Sequence, residues 1–132
     1  MNKCSNWVGD VTQAKIVAKL LECGYLVSVT YGNHSRYDLV IDKGNLSKVQ
    51  CKTGRLKGNS IRFNASSVTY KGKKRNYIDE ADYFAVYVGK LDKFYLVPVN
   101  ECGKYEAYLM FGLPKNDQAK NIHWASDYEL GV

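Results

Sequence analysis

The stretch Tyr37-Asp38-Leu39-Val40-Ile41-Asp42-Lys43-Gly44-Asn45-Leu46-Ser47-Lys48-Val49-Gln50-Cys51-Lys52-Thr53 decides how this chain folds. Two aliphatic runs flank the turn sequence Asp42-Lys43-Gly44-Asn45, which predicts a β-hairpin with strands at 37–42 and 47–53. Alternation along a strand then sorts the side chains. Val49 and Cys51 take one face, while Gln50 and Lys52 share the other. Asp38 takes the face that Leu39 and Ile41 do not, so an acid, an amide oxygen and a lysine are expected to converge.

Upstream, residues 10–22 repeat with a helical period. At about 100° per residue, Val11, Ala14, Ile16, Val17, Ala18, Leu20 and Leu21 form one broad apolar face, with Thr12, Lys15, Lys19 and Glu22 opposite. Asp10 suits the N-cap and Gly24 the C-terminal stop. Gln13 departs from this pattern, because it projects onto the apolar face about 20–40° from Leu20 and Val17. A buried amide must find partners, so Gln13 either satisfies a hydrogen bond in the core or points into a site.

Outside the hairpin, further strands are predicted at 25–30, 61–64, 83–88 and 94–99, with Leu91-Asp92-Lys93 joining the last two. The Lys- and Gly-rich stretch after Tyr70 reads as an exposed loop, and the tail from Gly112 as irregular with one short helix near 116–121. At 132 residues with 45% hydrophobic content, the chain is expected to form a single α/β domain spanning 1–132. Its apolar runs are too short to span a bilayer, and Met1 to Asp10 carries no apolar signal segment. Cys4, Cys23, Cys51 and Cys102 form no CxxC pair, and with two histidines they lack the spacing of a zinc site. Reduced thiols and a cytoplasmic location are the expectation.

Charge is distributed unevenly. Lys52, Arg55, Lys57, Arg62, Lys71, Lys73, Lys74 and Arg75 fall in one window from which all thirteen acids are absent, within a net charge of +6. A one-sided positive field attracts a polyanion and releases counterions from it. Arg55 and Arg62 are candidates for base contacts, because a guanidinium can bridge both acceptors of guanine. The chemistry of the hairpin points the same way. Magnesium prefers oxygen ligands and retains waters, so one or two carboxylates suffice. A neighbouring lysine can orient or deprotonate the attacking water and offset charge on phosphorus.

Three segments carry a family resemblance: Gly9-Asp10-Val11-Thr12-Gln13-Ala14-Lys15, Tyr37-Asp38-Leu39-Val40 and Val49-Gln50-Cys51-Lys52-Thr53. In this order they resemble the PD-(D/E)XK nuclease superfamily, in the branch with a Q-x-K motif that includes a homing endonuclease of a cyanobacterial group I intron. The resemblance continues through Asp82-Tyr83-Phe84-Ala85-Val86-Tyr87 and Tyr95-Leu96-Val97-Pro98-Val99, a core of about 9–100 with a C-terminal extension of about 101–132. It implies a restriction-endonuclease-like fold, with a mixed β-sheet flanked by helices, that hydrolyses phosphodiester bonds in double-stranded DNA with Mg2+ as cofactor.

On this resemblance, Asp38 is the central metal ligand, the main-chain carbonyl of Cys51 joins it, and Lys52 is the catalytic lysine. Gln50 completes the catalytic set where most of the superfamily has Glu or Asp. Gln13 stands where the family has a glutamate that reaches the metal from the first helix, so the site loses a charge and activity is expected to be attenuated. Arg36, Arg55, Lys57, Arg62, Lys71, Lys73, Lys74 and Arg75 are the expected DNA contacts. Cutting both strands requires two sites, so a homodimer or homotetramer is expected, docked through apolar surface at 83–99 or 105–113. Three rivals stand beside homing: a Holliday-junction resolvase, another small restriction or repair nuclease, and a DNA-binding protein whose nuclease site is inactive.

Overall fold

The computed structural model describes residues 4–32, 34–69, 71–111 and 122–131. Helix α1 (Ser5–Glu22) leads into strand β1 (Leu26–Val29) and the hairpin of β2 (Leu39–Asp42) and β3 (Leu46–Thr53). Then follow β4 (Arg55–Lys57), β5 (Ser60–Asn64), β6 (Ser66–Val68) and β7 (Lys74–Asn76). Strands β8 (Tyr83–Val88) and β9 (Lys93–Pro98), a 3₁₀ turn (Val99–Glu101), β10 (Glu106–Met110) and α2 (Ala125–Tyr128) complete the order. The short helix expected near 116–121 falls outside the described residues. Among the described residues, no helix is long and apolar enough to cross a membrane.

The centre is a mixed five-stranded sheet in the order β1-β2-β3-β8-β9. The hairpin forms as expected, with Leu39 opposite Val49 and Ile41 opposite Ser47. Strands β3 and β8 run parallel, and β8 and β9 pair antiparallel. Helix α1 packs on one face, where Ile16 and Leu20 meet Leu39, Ile41, Val49 and Ala85. The opposite face is covered by a three-stranded sheet in the order β10-β5-β4. Its Ile61, Phe63 and Leu109 pack with Phe84, Val86 and Val97.

The turn into this second layer requires glycine. At Gly54 the N–H bonds the Tyr87 carbonyl at 2.8 Å. A Cβ there would lie 2.8 Å from Val86 Cγ1 and 3.0 Å from both Ile61 and Val88, so no larger residue fits.

Several expectations change. Helix α1 begins at Ser5 with Cys4 at its N-cap, so Asp10 lies inside the helix and caps nothing. Its C-terminus ends as predicted at Gly24, where φ is +90°. The Gly24 N–H bonds Leu21 O and the Tyr25 N–H bonds Leu20 O, the double bond of a Schellman motif. The buried stripe is Thr12, Ile16 and Leu20, narrower than the apolar face read from the sequence. Thr12 turns inward because its hydroxyl hydrogen-bonds Thr53 Oγ1 at 2.8 Å, while Val11 and Leu21 stay exposed.

The stretch after Tyr70, expected as a loop, contributes β7 to a hairpin with β6. Residues 84–88 of the proposed docking segment 83–99 are buried in the core, so that hairpin offers little surface. In the other proposed segment, Ala107 and Leu109 face inward while Tyr105 and Tyr108 remain exposed.

Candidate active site

Asp38 stands at the entry to β2, where the strand is irregular. Its N–H bonds the Val49 carbonyl at 2.9 Å, although Val49 already pairs with Leu39. Two consecutive residues thus face one, the arrangement of a β-bulge, a device that re-aims side chains beside active sites. The Asp38 carbonyl accepts the Thr30 N–H at 3.2 Å, and carboxylate Oδ2 accepts the Cys51 N–H at 2.9 Å. A carboxylate on an in-plane strand N–H lies at the seam between β2 and β3, not wholly on the Gln50 and Lys52 face. Among the described residues, Oδ1 accepts no hydrogen bond. The N–H and C=O of one strand residue point to the same side, so the Cys51 carbonyl also faces this seam.

Lys52 lies across the seam. Its Nζ donates to the Ser66 carbonyl at 3.3 Å and sits 4.8 Å from the Tyr77 ring centre. Burial raises the Asp38 carboxyl above the usual carboxylate range, against the Cys51 N–H and the Lys52 charge, which pull it down. Burial lowers the Lys52 ammonium, Asp38 opposes that shift, and Arg36 adds to it. Each group is therefore pushed toward its neutral form, which suits a lysine that must accept a proton and an acid that gains from a nearby cation. Burial and the Asp38 charge also raise the Cys51 thiol, leaving it protonated and poor as a nucleophile.

Gln50 is half-buried opposite Phe84, on the Lys52 face. Gln13 is also half-buried, beside the Thr12–Ile16–Leu20 stripe, and its amide makes no hydrogen bond among the described residues. It lines a groove with Asp10, Ala14, Val17 and Val29. Val29 pairs with Leu39, the residue after Asp38. Gln13 is therefore not a satisfied core amide. The structure joins Asp38, Cys51 and Lys52 directly, and Gln13 occupies a groove on the helix side.

These donors are all oxygens: one carboxylate, two amides and a main-chain carbonyl. They fit a hard divalent ion that keeps most of its own water. Among the described residues, no three His, Cys, Asp or Glu side chains cluster for a tighter metal.

Arg36 behaves differently from the other basic residues. Its guanidinium bonds Glu80 Oε2 at 2.6 Å, Ser67 Oγ at 2.6 Å and the Asn76 carbonyl at 2.8 Å. It also stacks 4.1 Å from the Tyr77 ring centre, so its donors are occupied within the protein. Tyr77 thus touches both Arg36 and Lys52 and packs edge-on to Phe84. Sequence reasoning missed Tyr77, Glu80 and Ser67. Glu80 lies 44 positions from Arg36, and no local pattern signals such a pair.

Arg55 and Lys57 on β4 and Arg62 on β5 are on the outer side of the three-stranded sheet, with Arg55, Arg62 and Tyr108 in one cross-strand row. Glu106 lies 3.8 Å from Arg55 and 3.4 Å from Arg62. Lys71 and Lys73 are in the β6–β7 turn, and Lys74 and Arg75 are on β7, where Arg75 also bonds Glu80 at 3.0 Å. A cavity of about 560 Å³ lies at the other end of β3 and β8 among Asp79, Asp82 and Glu101. Those acids repel a phosphate chain, so the cavity is not the place for this chemistry.

The model of one protein family, described as PD-(D/E)XK endonuclease, matches residues 4–131. Among solved structures, a bacterial homing endonuclease, I-Ssp6803I, is similar in fold, with a TM-score of 0.73 at 23% identity. The match covers 96% of this chain and 89% of that one. No curated protein sequence matches the chain.

Proposed function

Because this chain belongs to the PD-(D/E)XK endonuclease family, and is by that membership a DNA endonuclease, we propose that it cuts double-stranded DNA in a magnesium-dependent, homing-type reaction. One observation carries the reading: a half-buried carboxylate, pinned by the Cys51 N–H with its second oxygen unbonded among the described residues, stands beside a half-buried lysine. Asp38, the Cys51 carbonyl and the Gln50 and Gln13 amides would hold the ion. Magnesium, when bound there, would supply a lowered water pKa and polarisation of the phosphate. Lys52, whose pKa burial pushes down, would orient the attacking water and accept a proton from it. Tyr77 and the Ser66 carbonyl hold the lysine in place. Hydrolysis of both strands takes two such sites, so the working form is a homodimer or homotetramer.

With an amide at position 13 the site is short of negative charge, and cleavage is attenuated. The test is nicking of a duplex with and without magnesium. Gln13→Glu is expected to cut at least about tenfold faster and to reach half-maximal rate at lower magnesium, because a charged ligand replaces a neutral one. Lys52→Ala in that background is expected to abolish the gain while leaving DNA binding in place. If Gln13→Glu folds but cuts no faster, Gln13 does not face the metal. Binding without cleavage in all variants would favour the inactive-site reading.

A further inference from the structure

The two edges of the central sheet are treated differently. At β9 the edge is covered: Tyr95 bridges to Glu129, and the Leu130 N–H bonds the Phe94 carbonyl at 2.8 Å. At β1, among the described residues, no strand pairs on the outer side. The direction of its free groups follows from the ladder. Thr30 donates to Asp38, so the N–H groups of Leu26, Ser28 and Thr30 turn toward β2, and those of Val27 and Val29 point outward.

Monomeric proteins protect such an edge with lysine, proline, a bulge, a cover or by keeping the strand very short. Strand β1 is short, at four residues, but among the described residues it carries no lysine, proline or bulge and no strand covers it. From Gly24 to Ser35 the chain carries no Asp, Glu, Lys or Arg, although 24% of all residues are charged. Apolar side chains flank the edge on both faces. Leu26 (70% exposed) and Leu46 (72%) share one face through the Leu26–Asp42–Leu46 row. On the other face, Val29 (59%) shares a groove with Ala14 and Val17 of α1, and Leu21 continues that helical stripe.

The geometry points to a second copy of this chain paired antiparallel through β1, joining two five-stranded sheets into one of ten strands. An outward row of strand donors and acceptors fits an extended strand and little else, and the same uncharged edge on a second copy is complementary by symmetry. With Val27 opposite Val29 of the second copy, the two-fold axis passes through Ser28 and stands perpendicular to the sheet. Lys52 of both copies then lies on the same face. Thr30 is two residues from the axis, so the two Asp38 residues come out about 13 Å apart along the strands and about 14 Å across them, or about 20 Å in all. That is comparable with a major groove of about 12 Å plus its flanking phosphate rows. The spacing argument rests on the nuclease reading, whereas the interface argument stands on the strand edge alone.

Two measurements test this. Sedimentation at micromolar concentration is expected to show a dimer for the parent. The Leu26→Lys/Val29→Lys pair is expected to show a monomer with the parent's far-UV circular dichroism, because lysine on an edge opposes pairing. Ser28→Cys in a Cys4→Ser background is expected to give a reducible covalent dimer on mild oxidation. Facing Cα atoms in a non-hydrogen-bonded pair lie about 4.5 Å apart, within disulfide reach. Val68→Cys in the same background, exposed on β6 away from the edge, is the control.

A parent that stays monomeric at tens of micromolar overturns the proposal, as does cross-linking of Val68→Cys that equals that of Ser28→Cys. If the lysine pair unfolds the chain, the cysteine experiment still decides. A dimer that cuts nothing would overturn the nuclease reading and leave this interface standing.

Discussion

Two carboxylates rest on the same strand of this protein and do different work. At the start of β3, Asp82 Oδ2 accepts the Lys48 N–H at 2.7 Å and the Asp82 N–H bonds the Lys48 carbonyl at 2.8 Å. That reciprocal clasp sets the register in which β8 joins β3. Three residues on, Asp38 accepts the Cys51 N–H at 2.9 Å, but it is half-buried, sits on a bulge and faces a half-buried lysine. Asp82 is exposed and borders the 560 Å³ cavity, which Asp38 does not line. Cavity size, usually a fair guide to a site, is here the poorer one. What separates the two acids is burial beside a cation that only partly offsets it.

Neutralising each acid in turn separates the two roles. Asp38→Asn is expected to reduce cleavage at least about 100-fold, the scale of losing a group that stabilises charge at the reacting centre. Asp82→Asn keeps an oxygen for the Lys48 N–H and is expected to leave cleavage within about threefold, at that same scale of reasoning. Single-turnover nicking rates of the two variants check this. Equal losses would show that both acids act through the fold.

Much of this site was legible beforehand because it follows period-2 alternation. The hairpin, its turn and the shared face of Gln50 and Lys52 come straight from the order of residues. The bulge does not, because one extra residue in a strand leaves no mark in an alternating pattern. The strands β4, β6, β7 and β10 escaped for a related reason. Runs as short as Arg55–Lys57 have no periodicity of their own and are strands only because a neighbour pairs with them. The helix face was misread at Thr12, whose partner Thr53 lies 41 positions away. Arg36, expected as a DNA contact, has its guanidinium held by Glu80, Ser67 and Asn76, partners 31–44 positions away that no local pattern signals.

The two ends of β3 also differ in the charge around them. The Lys52 end adjoins the lysines of the β6–β7 hairpin, and the Asp82 end adjoins Asp79 and Glu101. Each phosphate contact contributes roughly 0.9 to the slope of log affinity against log salt. Lys73→Ala/Lys74→Ala is therefore expected to flatten that slope by about 2 when both lysines meet phosphates. Asp79→Asn/Glu101→Gln is expected to leave it unchanged, since those acids would repel phosphates rather than meet them. Titrations of a labelled duplex at several salt concentrations measure both, and an unchanged slope in the lysine pair would remove the hairpin from the interface.

The smallest expected effect concerns acid stability, and it reaches the site through Arg36. Burial alone would raise the Glu80 carboxyl, but hydrogen bonds from Arg36 and Arg75 and their charges outweigh it and hold the group below the usual range. A carboxyl with a lower pKa in the folded chain than in the unfolded one binds fewer protons when folded. Stability from this group is therefore fully present above the unfolded value, near 4.5, and is lost as pH falls through the lower folded value. Glu80→Gln keeps an acceptor for Arg36 but removes the titration. It is expected to lower the melting temperature slightly at neutral pH and to narrow its gap to the parent as pH drops below about 4.5. Asp82→Asn, at the other end of the strand, controls for acid effects unrelated to Arg36. Melting curves between pH 3 and 7 decide the matter: a Glu80→Gln gap that stays constant across that range would mean the ion pair contributes nothing through its charge.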